Sequence, residues 1–439
     1  MQAATSQQRL RAGEGELAFW ATQAFLRPLQ MIAAAPCLLF LAALTAMLLR
    51  HPDVQFFEID RVAFGLLVLG VVAAGIASRQ RVVSIERATW PMAGLTLLAL
   101  VSVVGAPFDH EAWSLLASKF IVPYSLFHLA AFVFRRERSF RKFEIFCLVV
   151  LAYLSFTAIA FLCGATSLIF PRFILDPSLG FHVDRARGPL LQAVANGVSL
   201  NMLGLLAFHA YRRRAVRGWK ITFLLASVPV AILATMTRAV WLSFAGTVLL
   251  LIFLSKNRLF RWTGVACATA LVLGGIFLLG TTELGSSLAE RFEERGPLDY
   301  RAAVYAGGWE MFLQRPWTGW GFHQMPLELP RHVSGYDEKI LYPHNTYLEL
   351  LVEQGIVGLL LYVWLMWELW RLGRGEIPAG ERDGFLNSDF HRLWPILLGI
   401  YWVNAAMVVM SYQFVNGLLF TVAGMLAAQR RRAEAERPC

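Results

Sequence analysis

The chain has 439 residues, 57% of them hydrophobic and 16% charged, with a formal net charge of +10 and a mean hydropathy of +0.53. An ordinary soluble domain carries about 25% charged residues, so that class is excluded. The basic excess is scattered in short clusters between apolar runs, which excludes a nucleic-acid footprint as its explanation.

Apolar runs of about 17–25 residues recur along the chain, each able to cross a hydrocarbon core of roughly 30 Å. Long runs joined mostly by short loops imply helices, since a lipid-embedded backbone must satisfy its own hydrogen bonds. The expected fold is an all-α polytopic membrane protein with about 12 transmembrane helices. Residues 1–28 form a polar N-terminal segment that does not read as a cleavable signal peptide. Nine spans follow within 29–280, at 29–49, 62–78, 90–106, 113–134, 143–164, 190–208, 221–236, 239–255 and 262–280. Residues 281–346 form the longest loop, a helical cap between spans nine and ten. Three further spans lie within 347–429, at 347–370, 393–410 and 412–429, before a short tail at 430–439.

Orientation follows from the basic clusters "RRERSFRK" (135–142), "YRRRAVRGWK" (211–220), "SKNRLFR" (255–261) and "QRRR" (429–432). With the N-terminus inside, most Lys and Arg fall on cytoplasmic segments, as the positive-inside rule requires. Both termini are then cytoplasmic, and the two longest outer loops, 165–189 and 281–346, face outward. The cysteines Cys37, Cys147, Cys163, Cys267 and Cys439 suggest neither a disulfide framework nor a metal site.

Several polar residues are expensive in this setting. Lys119, in "ASKFIVPY", lies within span four, where a charge by default marks function; a snorkelling lysine is the bland alternative. Arg185 and Arg187, in "VDRARGPLLQ", close the second outer loop, where Gly188 permits close backbone approach to a ligand. An ion pair with Asp184 is their plain alternative. Gln192, Asn196 and Asn201 give span six an amide face expected to line a cavity. Arg238 occupies the tight outer turn before span eight, as a ligand or an interfacial anchor beside Trp241.

The stretch 298–321 reads as an amphipathic helix with Asp299 as N-cap, and with Arg301, Tyr305, Trp309 and Phe312 on one face. Pro316 is expected to stop it, with a turn at Gly319 and Gly321. In "LYPHNTYLELLVEQG" (341–355), Thr346 and Glu349 have capping-box spacing, so span ten starts near Thr346. His344 then sits just ahead of a helix N-terminus, whose dipole disfavours imidazolium. A neutral imidazole is a competent general base. Six residues from five regions — Lys119, Arg185, Arg187, Arg238, Arg301 and His344 — converge by topology on the outer face. Several cations and one base fit an anionic leaving group and a hydroxyl acceptor, and arginine forks suit phosphate. No phosphate-binding Gly-rich loop, HExxH or GxSxG motif occurs, and the adjacent "FDHE" (108–111) is too compact to close a metal site.

These stretches resemble a known family. "PHNTYLELLVEQGIVGLLLY" resembles the His-Asn-x-x-Leu…Gly signature of the O-antigen ligase and polymerase superfamily, and "RAAVYAGGWEMFLQRPWTGWGF" the segment preceding it there. "TRAVWLSF" and "RARGPLLQAVAN" resemble its two arginine-bearing segments. The resemblance implies a multi-pass enzyme of the bacterial inner membrane with a periplasmic active site. It would move a polysaccharide from undecaprenyl pyrophosphate to a lipid A–core sugar hydroxyl, inverting the anomeric centre without a metal or cofactor. It implies His344 as base, with Arg187 and Arg238 holding the pyrophosphate. Arg185, Arg301, Lys119, Asn345, Tyr305 and Trp309 would contact substrate. Arg291, Arg295, Arg315, Arg331 and Lys339 would meet the phosphates of lipid A–core. The expected partners are the lipid-linked donor, that acceptor and membrane lipids, with no nucleotide and no nucleic acid. The alternatives are an O-antigen or exopolysaccharide polymerase, a protein O-oligosaccharyltransferase and, in another class, a transporter of lipid-linked glycans.

Overall fold

The computed structural model describes residues 35–50, 59–180, 182–255, 258, 261, 262, 264, 296–335 and 340–436. All regular structure among the described residues is helical. In chain order come α1 (Pro36–Leu48), α2 (Ile59–Ser78), α3 (Thr89–Gly105), α4 (His110–Leu116), α5 (Val122–Val133), α6 (Glu137–Leu162), α7 (Ala193–Arg212), α8 (Trp219–Ala234) and α9 (Arg238–Leu254). They are followed by α10 (Gly296–Gln314), α11 (Met325–Glu328), α12 (Thr346–Leu372), α13 (Ser388–Ala405) and α14 (Gln413–Ala435). A helix occupies each predicted span except 262–280, which lies almost wholly outside the described residues, as do 1–28 and 281–295.

Five helices are long and apolar enough to cross a membrane: Ile59–Ser78, His110–Val133, Glu137–Leu162, Ala193–Arg212 and Thr346–Leu372. Pro36–Leu48, Thr89–Gly105, Trp219–Ala234 and Arg238–Leu254 are apolar but shorter. The chain is thus a helical membrane protein. α13 and α14 are less apolar because they face protein rather than lipid. Residues Phe414 to Gln429 of α14 are all buried, and the helix packs along α5. A Cβ at Gly424 would lie 2.1 Å from the Phe127 carbonyl oxygen, so a larger residue could not make that crossing. Asn416 and Gln429 of α14 find internal partners, as a lipid setting demands. Asn416 Nδ2 donates to the Met410 carbonyl at 3.0 Å, Tyr401 Oη donates to Asn416 Oδ1 at 2.9 Å, and Gln429 Nε2 donates to the Leu386 carbonyl at 2.8 Å.

The described part of the segment between α9 and α12, the cap, has its own apolar core. Val304 and Met311 of α10 pack with Met325, Leu329, Val333, Leu341 and Val352, the last from α12. Two expectations for α10 are corrected. It begins at Gly296, so Asp299 sits in its first turn rather than capping it. Its buried face is Val304, Gly307, Gly308 and Met311, not the Arg301–Tyr305–Trp309 stripe, and Trp309 is exposed. The two glycines decide this, since a Cβ on Gly307 would be 2.7 Å from Val333 Cγ2 and one on Gly308 2.8 Å from Met325 Cε. The helix ends at Gln314 ahead of Pro316, and Gly319 and Gly321 turn the chain with φ of 71° and 107°.

α12 is broken. Gly355 has φ 65° and ψ −166°, a conformation open essentially to glycine alone. The break leaves carbonyls and an amide without helical partners inside the protein, which would be costly unless satisfied. The cap supplies them. Trp320 N donates to Val352 O and Gly321 N to Glu353 O, both at 2.9 Å, while Ile356 N donates to Pro316 O at 2.8 Å. Residues 316–321 are therefore stitched into the break, tying the cap to the helix that starts beside His344.

Candidate functional site

His344 lies two residues before α12. The predicted capping box is not formed. Asn345 is the N-cap, its Oδ1 accepting from Tyr347 N at 3.0 Å and Leu348 N at 3.1 Å. Thr346 Oγ1 instead donates to the Val408 carbonyl at 2.8 Å and accepts from Met410 N at 2.9 Å, fastening α12 to the turn between α13 and α14. Glu349 is engaged elsewhere, as described below. Between Pro343 and this cap, His344 adopts a left-handed φ of 46°, a strained conformation for a residue with a Cβ. Its ring meets that of Tyr300 edge-on, with centroids 5.9 Å apart. Burial, the Arg301 guanidinium and His182 hold its pKa below the usual histidine value, in that order of weight. The imidazole is therefore neutral near pH 7, with a cation beside it. Arg301 itself reaches the Met407 carbonyl, Nη2 to O 3.5 Å.

The second outer loop reaches this region through His182, whose charge acts on His344. Arg185 N donates to the carbonyl of His182, the residue whose charge acts on His344, at 3.2 Å. Arg185 Nε lies 3.6 Å from Asp184 Oδ2, the ion pair allowed for by the sequence. Ala186 N donates at 3.1 Å to Ala234 O, fixing the loop against the end of α8 and hence against the turn that opens α9 at Arg238. One loop thus reaches from His344 to the Arg238 turn.

Arg187 is differently placed. It is 1% exposed, its Nε donates to the Ile174 carbonyl at 2.9 Å, and its Nη1 and Nη2 donate to the carbonyls of Leu179 and Asp176. All three guanidinium nitrogens support the loop that carries His182 and Arg185. Gly188 and Asn196 also serve the loop. The Asn196 amide donates to Ala186 O at 2.8 Å, and a Cβ on Gly188 would meet Asn196 Oδ1 at 2.8 Å. The close approach foreseen for a ligand is made by Asn196. Asn201 meets Ser243 Oγ of α9 at 3.4 Å, so of these span-six amides one holds the loop and the other joins two helices.

Lys119 lies in a π-turn, Ala117–Ile121, between α4 and α5. Pro123 has no N–H to offer the Lys119 carbonyl, which accounts for the widened turn. The ammonium pairs with Glu349 of α12, Nζ to Oε1 2.8 Å, with both side chains about one-tenth exposed. It also stands 5.5 Å from the centre of the Phe322 ring. Glu353, one turn further along and buried, faces the backbone of His323 and Met325 in the cap. Lys119, Glu349, Glu353, Phe322, Tyr362 and Tyr401 line a cavity of ≈ 30 Å³, room for about one water.

Among the other predicted contacts, Tyr305 is half-buried beside the cap core and Asn345 is committed to capping. Arg315 stacks over Trp320, 4.4 Å from the ring centre, and Arg331 pairs with Glu328. Arg291, Arg295 and Lys339 lie outside the described residues. His182, Tyr300 and Glu349 were not foreseen. A histidine in the same loop as Arg185 was the available signal for the first. Nothing in the local pattern marks Glu349 as the counter-ion of a lysine 230 positions away.

Chemically, the arrangement offers a neutral imidazole with the Arg301 guanidinium and His182 acting on it. Among the described residues no group of three or more His, Cys, Asp or Glu could hold a metal ion. No curated protein matches the chain. Residues 221–363, the stretch that carries Arg238, Arg301 and His344, match the family model described as O-Antigen ligase, so over this segment the chain is similar to the O-antigen ligase superfamily.

Proposed function

We propose that the protein is an O-antigen ligase-type glycosyltransferase of the bacterial inner membrane. It transfers a polysaccharide from undecaprenyl pyrophosphate to a sugar hydroxyl of lipid A–core at the periplasmic face. The observation that carries this reading is the neutral, cation-flanked imidazole of His344 inside the family-matched segment.

In the reaction His344 takes the proton of the acceptor hydroxyl. The acceptor oxygen attacks the anomeric carbon from the face opposite the leaving group, so the new C–O bond forms with inversion. The bond to pyrophosphate breaks, and its electron pair leaves with undecaprenyl pyrophosphate. Arg238, Arg185 and Arg301 meet the charge that develops on the leaving oxygen, where preorganised cations stabilise the transition state without rearranging. Arg187 holds the loop that presents Arg185, so its contribution is to positioning. Burial and then the Arg301 charge keep His344 unprotonated until it acts as a base, and a helix N-terminus at Thr346 acts in the same direction.

Purified protein given defined lipid-linked donor and lipid A–core tests the proposal. Capped lipid A–core supports it. Longer undecaprenyl-linked chains, formed without lipid A–core, would make the enzyme a polymerase. No single observation favours the transporter: the broken helix, a feature of transporter ion sites, is here closed by the cap backbone.

A further inference from the structure

At the end of α12 opposite His344 the chain forms a second, larger cavity of ≈ 350 Å³. It is lined by Trp367, Trp370, Arg371 and Arg374 from the end of α12 and the turn after it, and by Arg430 and Glu434 of α14. α12 is 27 residues long and broken at Gly355, so its two halves together span at most roughly 40 Å, which is enough to carry the cavity to the level expected for the other membrane interface. Trp367 and Trp370, with ring centroids 4.8 Å apart, suit that level, where tryptophan gathers.

The charges in the cavity are of both signs and are individually placed. Of three consecutive arginines in α14, Arg431 pairs with Glu86 at 3.0 Å and Arg432 with Glu381 at 2.6 Å, each joining α14 to another element. Arg430 instead faces the cavity, its Nε on Glu434 at 3.0 Å, one turn along the same helix. Arg371 Nη1 lies 3.4 Å from Glu368. Arg374 pairs with no carboxylate among the described residues and stacks on Trp370, its Cζ 3.6 Å from the ring centre. Three guanidinium groups can fork onto a phosphate. Glu434 and Glu376 add two carboxylates to the wall.

We propose that this cavity binds the head group of a phospholipid bearing both a phosphodiester and a primary ammonium. The arginines hold the phosphate, the glutamates accept hydrogen bonds from the ammonium, and the tryptophans lie along the glycerol and upper acyl chains. A purely anionic head group would leave the carboxylates against its negative charge. A quaternary ammonium could not donate to them, and the Trp370 face it would seek is covered by Arg374.

Native mass spectrometry of the full-length protein, in micelles with equimolar phosphatidylethanolamine, phosphatidylglycerol and phosphatidylcholine, tests this. Phosphatidylethanolamine adducts should exceed either other lipid by about fivefold, a modest difference in affinity. The Arg374→Gln/Arg430→Gln double variant should lose that excess, whereas Arg392→Gln, on the exposed start of α13, should keep it. Glu434→Arg should turn the preference towards phosphatidylglycerol, a gain that misfolding cannot mimic, and Glu376→Arg provides the same test should the first variant fail to fold. An excess of soluble phosphoethanolamine should not displace the adduct. Wild-type preference for phosphatidylglycerol, equal retention of phosphatidylcholine, displacement by the soluble compound, or an excess unaffected by the arginine substitutions would each overturn the proposal.

Discussion

Lys119 and Glu349 form a buried ion pair between the π-turn preceding α5 and the first turns of α12, Nζ to Oε1 2.8 Å. A lone charge at that depth reads as a substrate ligand; a paired one also fixes the helix that presents His344. The two roles separate by substitution. Lys119→Met or Glu349→Gln alone strands a buried partner and should destabilise the protein by about 3–5 kcal/mol. Lys119→Met with Glu349→Met should recover most of that loss. Thermal unfolding in detergent gives the first readout, and transfer activity the second. A stable but inactive double variant would return Lys119 to the substrate.

Gly355→Ala should be among the most damaging single substitutions. The φ of 65° is strained for alanine, and the new Cβ would fall 2.2 Å from the Trp317 carbonyl oxygen. A cost of about 3 kcal/mol or more is expected, with the cap released from α12. Limited proteolysis between residues 316 and 321 should accelerate in the variant, and unchanged protection would show that the break is not what anchors the cap.

The pH dependence of transfer has a definite sign. Burial first, then Arg301 and His182, lower the His344 pKa, so activity should persist somewhat below the usual histidine value and fall as acid protonates the base. Removing the cation in Arg301→Ala lets that pKa rise. The acid limb should therefore move to higher pH, and kcat should fall as well if Arg301 meets the leaving group. An acid limb that stays put would separate Arg301 from His344.

Much of this was legible beforehand because it rests on periodicity. Apolar runs placed the helices, and Pro316 with Gly319 and Gly321 placed the end of α10 and the turn after it. The details that failed depend on partners distant in sequence. Thr346 had local capping spacing, yet its hydroxyl was claimed by Val408 and Met410, and capping passed to Asn345. The buried face of α10 was decided by two glycines fitting Val333 and Met325, where an aromatic stripe gave the stronger pattern. Arg187 could not be told from Arg185 by spacing; three loop carbonyls distinguish it.

Orientation can be checked directly. In a cysteine-free background, needed because Cys163 is exposed, a cysteine at Gly335 should react with an impermeant maleimide in intact spheroplasts. One at Gly380 should be protected until the membrane is opened. The reverse pattern would put the His344 face in the cytoplasm and exclude a periplasmic transfer.

The central claim is that His344 is the base of a glycosyl transfer. Its direct measurement is single-turnover transfer from defined undecaprenyl-linked donor to lipid A–core, comparing wild-type protein with His344→Ala and His344→Gln at equal, correctly folded concentration. A general base contributes typically 10²–10⁴-fold, so both variants should lose about that much in rate. Donor binding should be retained, because the phosphate contacts are placed on the arginines. Transfer by purified His344→Ala at near wild-type rate would contradict the account.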